Sequence, residues 1–116
     1  MNIVDLHCDT LLKLKDGYSI SDNCGHITDK GLKLGGYLAQ CFAIYTPPEI
    51  RGEDAFLHFK NQYDLFNKTV FKSKILETAF KENSIIDNNQ NDKVWAVLTV
   101  ENLELLNGKI ERRCII

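Results

Sequence analysis

The chain has 116 residues, 44% of them hydrophobic and 26% charged, which suits one small globular domain and excludes a disordered, collagen-like or low-complexity chain. Its formal net charge is −2 and its longest basic cluster is Arg112-Arg113, which argues against nucleic acid as the main partner. The apolar runs are too short to span a bilayer and no secretory leader precedes the first strand. The four cysteines form no C-x-x-C pair, so they read as reduced structural thiols of a cytoplasmic protein.

Taken in chain order, Ile3 to Asp9 predicts a short strand with Ile3, Asp5, His7 and Asp9 on one face and Val4, Leu6 and Cys8 on the other. Thr10 to Leu14 predicts a helical turn, and Asp16-Gly17 and Ser21 to Gly25 are loop chemistry. After Gly35-Gly36, the run Tyr37 to Tyr45 is apolar on both faces apart from Gln40 and the tyrosines, as in a strand covered on both sides, and Pro47-Pro48 ends it. Glu53 to about Asn83 predicts a helix. Phe56, Phe59, Tyr63, Phe66 and Val70 make one apolar stripe, continued with some drift by Phe71, Ile75, Ala79 and Phe80. That length without a cap implies a break near Ser73. Asn88 to Asp92 is a polar loop, Lys93 to Val100 is the clearest strand, Glu101 stands at its C-terminal end, and Asn102 to Arg113 reads as helix. The alternation predicts an α/β fold of about three parallel strands with helices, the last two strands joined by a crossover helix.

The chemistry centres on His7-Cys8-Asp9, an H-x-D element whose period of two aims the imidazole and the carboxylate the same way at a strand end. Glu101 ends another strand, and catalytic groups in parallel α/β folds gather at those ends. One His, one Asp and one Glu at roughly 2.0–2.2 Å from a cation suit zinc. Two bland readings stand beside this one. A strand-end His pairs with a neighbouring carboxylate, and a Glu at a helix start stabilises the helix dipole. Cys8 alternates with the pair and reads as an inert core thiol. His26 lies in a loop, and His58 lies off the apolar stripe and is expected to face water, so both read as non-ligands. Tyr45 stands near the top of the second strand, as core or as pocket lining.

Asp5-Leu6-His7-Cys8-Asp9-Thr10 resembles the D-x-H-x-D opening of the membrane dipeptidase family (renal dipeptidase-like, peptidase family M19). Gly25-His26-Ile27-Thr28, Leu34-Gly35-Gly36, Ala39-Gln40 and Ile44-Tyr45-Thr46-Pro47 resemble its second-strand region in order and spacing, and Lys93-Val94 through Val100-Glu101 its third strand, which ends on Glu. The resemblance implies that residues 1–116 are a single partial domain, the N-terminal part of a (β/α)8 TIM-type metal-dependent hydrolase barrel. It implies a zinc-dependent dipeptidase with two zinc ions, His7 and Asp9 on one and Glu101 bridging both. A hydroxide shared by the ions would attack the dipeptide carbonyl. Asn102 departs from the family, which usually follows this Glu with Gly, and the later strands that supply the second ion's histidines are not in this chain. Chain length makes a catalytically inactive remnant, acting only as a structural or interaction module, the alternative; other metal-dependent hydrolase barrels more often open with H-x-H. With the second and third strands apolar on both faces, the isolated chain is expected to self-associate or to need a separate C-terminal part.

Overall fold

The protein is described here from a computed structural model, over residues 2–22, 25–79 and 92–109. Its centre is β2 (Tyr37–Tyr45), in which every side chain from Ala39 to Ile44 is buried. Burial on both faces suits a strand with neighbours on both sides, and β2 lies between β1 (Ile3–Asp5) and β4 (Val94–Glu101) in a sheet of order β1-β2-β4-β3, with β3 at Leu76–Thr78 and all strands parallel. The register of β2 on β4 runs without a break from Ala39↔Trp95 to Tyr45↔Glu101. The C-terminal ends of the two strands are therefore level.

A short helix, α1 (Thr10–Leu14), follows β1, and α2 (Asp29–Leu34) precedes β2. Thr28 caps α2 by accepting the Gly31 N–H through Oγ1. Gly36, at φ 72°, turns the chain from α2 into β2, and its carbonyl accepts the Ile3 N–H that starts β1. The crossover from β2 is α3 (Gly52–Lys72). Its buried residues Ala55, Phe59, Phe66 and Val70 fall on one stripe, as the three-and-four spacing requires. The Phe66 ring meets Phe42 of β2 at 5.8 Å, tilted by 58°. Each such aromatic, fully buried, contributes about 1.5–3 kcal/mol relative to exposure.

Three expectations need correction. The helix expected to run to about Asn83 stops at Lys72, and Phe71 is 91% exposed, off the stripe. Ser73 is extended; its Oγ accepts the N–H groups of Ile75 and Leu76 and donates to the buried carboxylate of Asp29. The chain then enters β3 (Leu76–Thr78), which pairs with Val94 to Ala96, so the sheet has four strands where three were expected. Residues 80–91, where the helix was to end, lie outside the described residues.

The second correction concerns β1, whose regular pairing ends at Asp5 with an irregularity between Ile3 and Val4. The backbone returns to β2 only where the Ala43 N–H donates to the Cys8 carbonyl at 2.9 Å. The third concerns the last element. A 3-10 turn, Glu104–Leu106, replaces the helix expected from Asn102, and Asn107 and Gly108, both at positive φ, end it. Residues 110–113 of that expected helix lie outside the described residues.

The main core lies between the sheet and the helices, with Leu11, Leu32, Phe42, Ile44, Phe59, Phe66, Ala96 and Leu105 in one cluster. On β2 and β4 the alternate residues Ala39, Cys41, Ala43 and Trp95 stand outside that cluster yet are buried as well. Val97 and Thr99, beside Cys41 and Ala43 on β4, are only half-buried, so the sheet face away from the helices is covered in part. Among the described residues no helix is long and apolar enough to cross a membrane.

Candidate metal centre

Parallel strands carry their C-terminal ends to one edge of the sheet, and that edge gathers the candidate residues. Glu101 is the last residue of β4, level with Tyr45 of β2. His7 and Asp9 lie just beyond β1, in the segment between that strand and α1. The Asp5 carboxylate accepts the His7 N–H at 3.2 Å, which fixes the backbone there. Nε2 of His7 then lies 3.3 Å from Oδ1 of Asp9 and 3.0 Å from Oε1 of Glu101. One ligand atom from each of the three residues lies within 4.8 Å of the others, and they form the group of this kind found among the described residues.

The helix-dipole reading does not account for the arrangement, whereas His7 does meet neighbouring carboxylates, two of them at one ring nitrogen. Asp9 is at the N-cap of α1, but its side chain makes no cap hydrogen bond. Glu101 is followed by a single 3-10 turn, not by a helix whose dipole it would serve. Nε2 of His7 carries at most one proton, so a single nitrogen faces two carboxylate oxygens. The side chains of His7, Asp9 and Glu101 are 51%, 56% and 39% exposed. Surface ion pairs of that kind add about 0–1 kcal/mol to stability. Solvent and solutes can reach the cluster.

The donor set fits a metal ion. It offers one borderline nitrogen and two hard oxygens, the mixture that zinc takes in catalytic sites. Ligands at roughly 2.0–2.1 Å from a tetrahedral ion stand about 3.3–3.4 Å apart. The His7–Asp9 and His7–Glu101 separations of 3.3 and 3.0 Å lie near that spacing.

The turn after Glu101 departs from the glycine expected there. Asn102 takes φ 57°, a left-handed angle that Asn enters more readily than most residues. Its Nδ2 donates to the Thr46 carbonyl at 3.3 Å, and its Oδ1 accepts the Glu104 N–H at 3.1 Å. His58 corrects another expectation. It does not simply face water: half-buried on α3, it donates from Nε2 to the Tyr45 carbonyl at 2.9 Å. Neither His58 nor the exposed His26 joins the cluster.

Cys8 is buried between the two ligand candidates. Desolvation pushes its thiol above the ordinary range, with Asp5 and Asp9 adding to the effect and hydrogen bonding to Thr10 opposing it. Its burial and raised thiol fit a core residue. Cys8 and Cys41 are free; Cys24 and Cys114 lie outside the described residues. A groove between Gly17–Ser21 and the end of α3 contains none of the candidate residues.

No curated protein matches the chain. The family model described as membrane dipeptidase (peptidase family M19) matches residues 1–112. That match, with a parallel α/β sheet consistent with part of a TIM-type barrel and a His-Asp-Glu cluster at its strand ends, places the chain in the membrane dipeptidase family of metal-dependent hydrolases.

Proposed function

We propose that the chain carries one metal position of a zinc-dependent dipeptidase, with His7, Asp9 and Glu101 as its protein ligands. The observation that carries this reading is the convergence of Nε2 of His7 with Oδ1 of Asp9 and Oε1 of Glu101, at 3.3 and 3.0 Å, on an exposed strand-end edge. His7 and Asp9 supply a nitrogen and an oxygen from one segment. Glu101 would supply a third donor from β4, and its second carboxylate oxygen would remain for a neighbouring ion. The chemistry that zinc supplies when bound is acidification of a water and polarisation of the scissile carbonyl of a dipeptide. Exposure of the three side chains leaves the face of the site open to such a substrate.

A catalytically inactive module is the second reading, and one observation favours it for this chain acting alone. Among the described residues there is one three-ligand group, and neither His26 nor His58 is in it. A two-metal centre holds its ions roughly 3.5–4 Å apart and needs donors for both. The expected result is therefore single, weak metal binding and negligible turnover. Hydrolysis of a dipeptide panel with added zinc tests the second part: turnover that disappears in His7→Ala would show that this chain alone is a working enzyme. Cobalt(II) titration tests the first part, with unchanged binding in His7→Ala and Glu101→Ala as the result that overturns the ligand assignment.

A further inference from the structure

We infer that Asn102 is a positioning residue for Glu101, through a side-chain clamp that ties the end of β4 to the end of β2. The inference rests on the metal reading above for its consequence, but its geometry stands apart from it. Glu101 and Tyr45 are level in the register, so the chain leaves both strands at the same height. Immediately beyond them, Asn102 reaches across from β4 and donates from Nδ2 to the Thr46 carbonyl at 3.3 Å. Its Oδ1 accepts the Glu104 N–H at 3.1 Å, which closes the turn behind Glu101. The two bonds need opposite polarities at the two ends of one amide, a requirement that Asn meets and Asp or a hydrophobic residue does not. The φ of 57° could be met by glycine, but glycine would bring neither bond. On the β2 side, His58 holds the adjacent Tyr45 carbonyl at 2.9 Å, so the strand end that receives the clamp is itself pinned. Glu101 has to present Oε1 to Nε2 of His7 at 3.0 Å from a different strand. A side chain next to it that fixes the exit direction of β4 acts on that distance directly.

The discriminating variant is Asn102→Gly, which keeps the backbone angle and removes the clamp. In the metal-free chain, the NOE between the His7 ring protons and the Glu101 Hγ protons should be present in the wild type and lost or strongly weakened in Asn102→Gly. The Glu104 amide should exchange with solvent at least tenfold faster in the variant. In cobalt(II) titration, the variant should bind about tenfold more weakly, while Asn102→Gln, too long for the same two bonds, should resemble it. An undisturbed NOE with wild-type cobalt affinity in Asn102→Gly overturns the inference, because the turn would then need only its backbone angle. If the wild type binds no cobalt but its NOE still depends on Asn102, the metal reading fails and the positioning role stands.

Discussion

His7, Asp9 and Glu101 converge without a matching return in stability. All three side chains are more than a third exposed, and exposed ion pairs contribute about 0–1 kcal/mol. His7→Ala is accordingly expected to change the urea-unfolding free energy of the metal-free chain by less than about 1 kcal/mol, yet to abolish cobalt(II) binding. A large loss of stability would mean that the trio is structural. Cys41 behaves in the opposite way. It is buried on β2, and desolvation, with a smaller effect of Asp5, raises its thiol above the ordinary value of 9.0. The native state therefore holds that proton more tightly than the unfolded chain does. Its contribution to stability is complete below pH 9.0 and is lost as pH rises through the native value. Urea melts between pH 8 and pH 10 should show a fall in stability that is smaller in Cys41→Ala, and alkylation of Cys41 at pH 8 should be slow until the protein unfolds. At this scale the sequence was legible where chemistry repeats locally. The H-x-D element and the strand-terminal Glu101 offered the residues, and the resemblance to the dipeptidase family, more than the spacing, joined them into one cluster. What could not be read were contacts across elements, such as His58 on Tyr45 and Asn102 on Thr46, because they depend on how the ends of two strands are levelled.

At the scale of elements, the break near Ser73 was legible in the sequence, and what lay hidden beyond it was the short strand β3. The stripe Phe59-Phe66-Val70 was legible because burial on one helix face leaves a local period. The strand Leu76–Thr78 was not, since three residues carry no period of their own and their pairing partner, Val94 to Ala96, lies further along the chain. Ser73 decides where helix gives way to strand. Its hydroxyl donates to Oδ2 of Asp29 at 2.8 Å and accepts two backbone N–H groups that helix continuation would have used otherwise. Asp29 is 3% exposed and also accepts from the Ser21 hydroxyl at 3.1 Å and the Lys30 N–H at 2.7 Å. One buried carboxylate thus joins the loop before α2, α2 itself and the end of α3. Ser73→Ala should destabilise the chain by about 1–3 kcal/mol, the cost of leaving buried polar groups unpaired. Ser21→Ala, which removes one of two hydroxyl donors to the same oxygen, should cost less, and equal losses by urea titration would count against the ranking.

For the whole molecule, the question is which surface limits its behaviour in solution. The sequence pointed to the sheet face away from the helices, because β2 and β4 are apolar on both sides. Ala39, Cys41, Ala43 and Trp95 are nonetheless buried there, so that face is not a bare apolar wall. Exposed apolar side chains stand elsewhere, Phe71 and Leu34 singly on the helices and two together at β1. Val4 is 50% and Leu6 75% exposed, on or next to the strand that ends the sheet order on one side, with the three-residue β3 ending it on the other. An outer strand with unpaired backbone groups and exposed apolar side chains is a template for another chain, and natural proteins blunt such edges with charge. Neither Val4 nor Leu6 does so, and the nearest charge, Asp5, is engaged by the His7 N–H. Self-association at micromolar concentration is therefore expected to run through β1. Val4→Lys with Leu6→Lys should shift light scattering toward a 13.3 kDa monomer while leaving the His7–Glu101 contact intact, which the same NOE reads. A wild-type chain that is already a monodisperse monomer at these concentrations, with cooperative unfolding, would show that the β1 edge is satisfied in solution and that its exposed leucine and valine carry no association.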